Sequence, residues 1–322
     1  MNARAVLALV AVLALSLFVW AVFPWFTQHP LRPGSANRDA TTTPSDDSGA
    51  HANTGGATAP TDVHQVTRTT MAISALRPDP PSELAGYYEM TPEQQLDAIT
   101  RIQHDSRMSP QLIAFLGIAI KDKTRSLVVR NNMANCLILQ RPPNPHLDRL
   151  FLDMVDDTSE SLDWREYAVQ HLASTVACTD EPDVVIAKLR DLLQHGQGSI
   201  PATVMVHLDR LEGEGQVRLD SSFVSDLVAH LNSPATSLSS RMTIIGLLGK
   251  RQERSCLPLI RAYAVDSQPS LRRVAIAALG HIGDVSDRPL IEKARNDADA
   301  LVVAAATSAL GRLPPENIRP VP

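Results

Sequence analysis

Six leucines recur along the second two-thirds of the chain, at Leu137, Leu172, Leu208, Leu248, Leu279 and Leu310, separated by 35, 36, 40, 31 and 31 residues. Each stands seven residues after a register point: Arg130, Arg165, Pro201, Arg241, Arg272 or Val303. Apolar residues fill the third or fourth place after it, as in Met133 and Ala134, Ala168 and Val169, Val204 and Met205, Ile244 and Ile245, Ala275 and Ile276, then Ala306. Offsets of three, four and seven lie on one stripe of a helix. One helical hairpin cannot bury its own apolar face, and self-similarity at roughly 30 to 45 residues means that neighbours of the same kind stack on it. The pattern predicts an all-α fold, an α-solenoid of five to six helix pairs in which these helices are the second, or B, members. The first, or A, members are expected near 92–104, 145–156, 182–195, 220–232, 255–266 and 286–297. Several open on Pro, Asp or Ser, as helix starts do. Pro201 fits only within the first turn of its helix, where a missing N–H is tolerated. An aromatic content of 4% agrees with helical repeats, since a β-rich fold uses more Tyr, Phe and Trp.

The last two repeats carry a family signal. The stretch "SLRRVAIAALGHIGD" at 270–284 resembles the HEAT repeat, in particular the bacterial HEAT-like form first associated with phycobilisome lyases, and "LVVAAATSALGRL" at 301–313 is similar to a second copy. Leu-Gly recurs at Leu248-Gly249, Leu279-Gly280 and Leu310-Gly311, so the resemblance covers about 241–313. Earlier repeats keep the spacing and the stripe without the ALGxIGD ending. The resemblance implies a right-handed superhelix of paired helices and a role in protein–protein interaction. It implies no chemistry by itself, because one fold hosts many functions.

Ahead of the repeats, after a short N-terminus at 1–4, residues 5–26 form an uncharged stretch, "AVLALVAVLALSLFVWAVFPWF". As a helix it would be about 33 Å long, enough to cross a hydrocarbon core of roughly 30 Å. A cleavable signal peptide is the rival reading, but its apolar region is shorter and ends in small residues. This one ends in Trp20, Phe23, Trp25 and Phe26, an aromatic belt, which favours an uncleaved transmembrane anchor. Arg4 precedes the span and Arg32 and Arg38 follow it, a sparse charge pattern that favours export of everything beyond residue 27 over retention in the cytoplasm. In a Gram-negative bacterium this means a single-pass inner-membrane protein with its repeats in the periplasm. Residues 27–81 are rich in Ser, Thr, Pro, Gly and Ala and cannot bury enough apolar surface to fold, so they are expected to form a disordered linker with an r.m.s. span of roughly 40 Å. Within it, "MAISALR" at 71–77 is a candidate for a short helix docked on the first repeat. The solenoid then occupies 82–313, and 314–322 is a tail.

The chemistry expected of this chain is mostly absence. No phosphate-binding glycine loop, nucleophile elbow or HExxH motif occurs. HEAT-like di-iron hydroxylases use repeated His-Glu pairs, and the chain has no His-Glu dipeptide. Residues 83–313 hold 24 Lys plus Arg against 29 Asp plus Glu, which argues against a nucleic-acid clamp. His104, His146, His171, His195, His207, His230 and His281 are not paired at metal-ligand spacing on one helix face. Cys136, Cys178 and Cys256 are odd in number and far apart, so buried thiols are expected, with a Cys136–Cys178 bridge the alternative in an oxidising compartment. No catalytic residue, cofactor, metal or small-molecule substrate is expected.

Charge distribution gives the remaining clue. Residues 83–240 carry 13 basic and 22 acidic residues, whereas 241–313 carry 11 basic and 7 acidic. The basic end holds Lys250, Arg251 and Arg254 in one inter-repeat turn and Arg272 and Arg273 at the start of the next B helix, a candidate face for an acidic partner segment or anionic headgroups. Local pairing of these arginines is the competing reading. At the other end the acidic turn 153–166 places Trp164 among carboxylates, where it would be an interface anchor if exposed and a packing residue if not. The resulting expectation is a membrane-tethered scaffold for a protein partner in the cell envelope, with an envelope or secretion assembly component and a HEAT-like lyase-type enzyme as alternatives. Charge reversal at Lys250, Arg251 and Arg254 is expected to weaken binding without unfolding the domain.

Overall fold

The computed structural model describes residues 78–315, apart from 104 and 106. The apolar stretch 5–26, the 71–77 segment and His104 lie outside the described residues. Among the described residues no helix is long and apolar enough to cross a membrane.

Two 3-10 turns, Ser82–Leu84 and Tyr87–Glu89, lead into thirteen α-helices, and no strand occurs among the described residues. The helices are α1 (Pro92–Gln103), α2 (Pro110–Ala119), α3 (Leu127–Ile138), α4 (Leu147–Asp156), α5 (Leu162–Thr175), α6 (Pro182–His195) and α7 (Ile200–Gly213). They continue as α8 (Ser222–Asn232), α9 (Leu238–Lys250), α10 (Leu257–Tyr263), α11 (Pro269–Ile282), α12 (Arg288–Ala294) and α13 (Ala300–Arg312). From α2 onward they form six antiparallel A–B pairs, and every register point falls in a B helix: α3, α5, α7, α9, α11 and α13. Pro201 lies in the first turn of α7, as its missing N–H requires.

The B helices begin where the sequence offers a cap. The hydroxyls of Ser126, Ser161 and Ser237 accept the N–H groups of Val129, Trp164 and Ser240, and Asp299 accepts those of Leu301 and Val302. Each cap satisfies orphan donors and is worth about 1 kcal/mol. The register leucines then enter the core: Leu172, Leu208, Leu248 and Leu279 are fully buried. Leu310 is only half-buried, because no described helix follows it.

The first pair differs from expectation. Helix α1, expected as the A partner of α3, instead stacks beside α3 as the B helices stack on each other. Asn132 Nδ2 donates to Thr100 Oγ1 at 3.4 Å across that joint. The A partner is α2, whose apolar residues surround it instead of forming one stripe, so periodicity does not reveal it. Leu84 and Tyr87 close this end against Phe115 of α2, with the Tyr87 and Phe115 rings edge to face at 5.6 Å and the Arg125 guanidinium 4.8 Å from the Tyr87 centroid.

Two devices join successive repeats. The first is the register arginine, which binds the carbonyls of its own A–B turn and reaches the next repeat. Arg130 donates to Ile120 O at 2.7 Å and grips Glu160 with both terminal nitrogens at 2.9 and 2.6 Å. Arg272 binds Asp266 O and Ser267 O and holds Asp297 in a fork with two 2.7 Å contacts. Arg241 binds Thr236 O and Ser233 O, with Tyr263 Oη of the next A helix at 3.4 Å. The second device is close contact through the Leu-Gly doublets. A Cβ built on Gly249 would sit 2.6 Å from Ala278 Cα and Cβ, and one on Gly280 would sit 2.5 Å from Ala309 Cβ. At the places of Ala278 and Ala309 the earlier B helices carry His171, His207 and Leu247, and those joints are wider. The B helices also approach one another more closely than the A helices do, so the stack curves toward its B layer.

The glycine contact makes a direct stability prediction. Gly280→Ala pushes on the Ala309 backbone and should cost about 1–3 kcal/mol. Gly246→Ala, whose Cβ would meet only Val274 Cγ2 at 3.7 Å, should be neutral or gain up to about 1 kcal/mol from helix propensity. Thermal melting of both variants distinguishes a tight joint, with opposite shifts, from a loose one, with equal shifts.

Candidate partner-binding surface

On each B helix the residues two, five and nine places after the register point are half-buried or exposed and none is buried, because the three- and four-residue offsets are used by the core. Across the stack they make one continuous strip on the inner side of the curve. Its N-terminal part is polar, with Asn132, Asn135, Tyr167 and Gln170. Its C-terminal part is small or apolar, with Thr203, Val206, Thr243, Gly246, Val274 and Ala277. Arg210, Lys250, His281 and Arg312 border this second part at the B-to-A turns.

The predicted basic face is largely committed to internal pairing. Arg251 bridges Asp209 and Glu212 of the preceding repeat, each at 2.8 Å, and its guanidinium lies 5.3 Å from the Phe223 centroid. Lys250 also reaches Asp209, at 2.7 Å, but its side chain stays 69% exposed against 20% for Arg251. Arg272 is saturated by Asp297 and two carbonyls, and the same contact holds the Asp297 carboxyl below the usual carboxylate range. Arg273 is half-buried on the B face, where the Asp299 charge partly offsets its desolvation. Arg254 stands 3.5 Å from Asp284 with its side chain 65% exposed. The expectation that Arg251 and Arg272 present free charge is therefore corrected: both are inter-repeat ties. Lys250 and Arg254 remain the exposed cations of the predicted set.

Trp164 requires the opposite correction to an interface anchor. It is fully buried, with the Arg130 guanidinium 4.0 Å above its ring. The acidic turn that suggested exposure supplies Glu160, whose fork to Arg130 folds the turn over the indole. Sequence reading also passed over the buried partners of these contacts. Asp209 is almost wholly buried and carries two cations, and its only local sign is an acid at a core-facing position of α7.

Two histidines lie beneath the polar part of the strip. His171 Nε2 donates to Asn131 Oδ1 at 2.9 Å, the ring stacks on Phe151 at 5.2 Å, and burial pushes its pKa down to about 4. His207 encloses an Nδ1 that has no hydrogen-bond partner among the described residues, and burial, with Arg210 and His171 nearby, pushes it down to about 3. The cysteines are free thiols, Cys136 and Cys256 buried, and burial raises Cys136 to about 12. Among the described residues no three His, Cys, Asp or Glu side chains gather as metal ligands.

Residues 224–311, from α8 into α13, match the family model for HEAT repeats, so the chain carries a HEAT-repeat segment over the three pairs with the tightest joints. No curated protein matches the chain. Similar solved structures include human deoxyhypusine hydroxylase in complex with glycerol, 16% identical with a TM-score of 0.34, covering 77% of this chain and 98% of that one. Another is a computationally designed armadillo repeat protein for modular peptide recognition, 15% identical with a TM-score of 0.23, covering 70% and 100%.

Two outcomes test this surface. Removing Arg251 leaves buried Asp209 with Lys250 alone, so Arg251→Ala should lose about 1–3 kcal/mol in denaturant unfolding. Lys250→Ala should lose no more than about 0.5 kcal/mol, and equal losses would mean that Arg251 is not the tie. The histidines set an acid response. Their folded pKa values lie below the ordinary histidine value, so the unfolded chain takes up protons first as pH falls below about 6.5, and stability that is full at neutral pH declines toward pH 4. The slope reaches about 1.4 kcal/mol per pH unit for each ring. His207→Met should flatten unfolding free energy measured from pH 6.5 to 4.5, and an unchanged slope would contradict a ring held neutral in the folded chain.

Proposed function

We propose that this chain is a membrane-tethered HEAT-like scaffold that holds a protein partner in the cell envelope without catalysis. The observation that carries the reading is the uninterrupted strip along the B helices, broken by no inserted loop among the described residues and bordered by the exposed cations Lys250 and Arg254. Helical repeats present such extended surfaces for other macromolecules. The uncharged 5–26 stretch supports anchorage, and the sparse positive charge after it supports export to the periplasmic side of a bacterial inner membrane. The linker gives reach while keeping the repeats at raised effective concentration for partners on the same membrane.

Capture from detergent-solubilised native envelope with the full chain, at low and at moderate salt, tests the reading. One or two stoichiometric proteins are expected, released by salt and by the pair Lys250→Gln and Arg254→Glu, which puts no new negative charge beside buried Asp209 and leaves the Arg251 tie in place. Retention of the same proteins by the double variant at all salt concentrations would remove this border from the interface. Absence of any stoichiometric protein from the folded wild type would count against the scaffold.

A further inference from the structure

The two ends of the stack are finished differently. At the N-terminal end Leu84 and Tyr87 are buried against α2 and form a cap. Repeat arrays need such caps with a polar outer face. At the other end the positions that elsewhere reach the following repeat are kept, with their chemistry altered. Gly249 and Gly280 each receive an alanine of the next B helix, whereas nothing described lies within 4 Å of a Cβ on Gly311. Arg272, which grips Asp297 of the next repeat, is replaced in α13 by Val303. Arg254, which approaches Asp284 of the next repeat, is replaced by Val285, 52% exposed. Leu310 is half-buried where its counterparts Leu248 and Leu279 are fully buried. Thr307 replaces Ile276 and Ile245, and its hydroxyl is engaged by Val303 O at 3.0 Å. A cap would place charge where this end places two valines.

We infer that this C-terminal end face, made by Val285, Val303, Thr307, Leu310 and Gly311, is where a second copy of the chain docks, end to end about a two-fold axis. Three observations select that occupant. The face continues the joint already used twice inside the molecule, so what fits it is a helix with a small residue at the contact. The B-layer helix at the N-terminal end of another copy is α1, whose exposed residues Glu93, Gln94, Asp97 and Arg101 are polar and offer no small residue for a close contact, which disfavours head-to-tail stacking. Helix α13 itself does offer one: Ala300, Val303, Ala304, Thr307 and Gly311 lie along one side, and an antiparallel copy centred between 305 and 306 sets Gly311 over the other copy's Ala300 and Thr307 over its Ala304. The glycine–alanine contact is then made twice, as an isologous interface requires. This docking leaves the B-face strip open and does not depend on which partner that strip holds.

Sedimentation of the full chain in detergent over a concentration series tests the inference. A reversible dimer is expected. Val303→Arg, which restores the residue of the inner repeats, and Gly311→Leu, which fills open space, should each raise the dimer dissociation constant roughly tenfold or more while leaving the melting curve of the helices in place. A monomer at every concentration overturns the inference. So does a dimer that neither variant weakens, since that association would run through another part of the chain, and so does an open series of larger species.

Discussion

Two of the joints in this protein, after α3 and after α11, are held by an arginine that does two tasks at once. In Arg130 and Arg272 the guanidinium ties down the carbonyls of its own A–B turn and, with its remaining nitrogens, takes a carboxylate from the following turn. A planar donor with a fixed fork suits this double role, and lysine would not. Because the tie runs only between neighbours, stability is close to a sum over adjacent joints. Different joints can then be built differently. Those after α9 and α11 are closed by glycine against alanine, and the one between α7 and α9 by Arg251 and Lys250 on buried Asp209.

That architecture explains why an end-to-end charge gradient in sequence does not become a gradient of free surface charge. The cations of the C-terminal half sit at turns, where the partners they need arrive from the preceding or the following repeat. Arg251 draws on Asp209 and Glu212, Arg272 on Asp297 and Arg261 on Asp287. What remains for recognition is the B-face strip and the ends of Lys250 and Arg254, a patch smaller than composition suggests.

Legibility divides along the same line. The B helices, their leucines, the place of Pro201 and most A helices could be read from the chain because each depends on contacts within one helix or hairpin. The unread features depend on contacts between residues 25 to 42 positions apart, which no local pattern encodes: Arg130 to Glu160, Arg272 to Asp297 and Arg251 to Asp209 are the cases that decide the site. Trp164 was ambiguous for that reason, since only the long-range fork shows which way its turn folds. Helix α2 escaped because a helix apolar on most sides has no stripe to find. The glycine doublets were visible as a family mark, yet their purpose appears only when the facing alanine is known.

The fading of that mark toward the N-terminus is itself a structural statement. Where Ala278 and Ala309 permit backbone contact, His171 and His207 hold the earlier helices apart, and a wider joint needs something to fill it. Imidazoles fill it at a cost the alanines avoid, because each must stay neutral and each brings ring nitrogens that need partners. His171 finds Asn131, while His207 leaves Nδ1 without a described partner. The early joints are thus the ones open to acid and to local loosening, and the polar part of the strip lies directly over them. A partner bound across Asn132 and Gln170 would sense the state of this joint, whereas one bound over Gly246 and Ala277 would rest on a floor fixed by close-packed backbone.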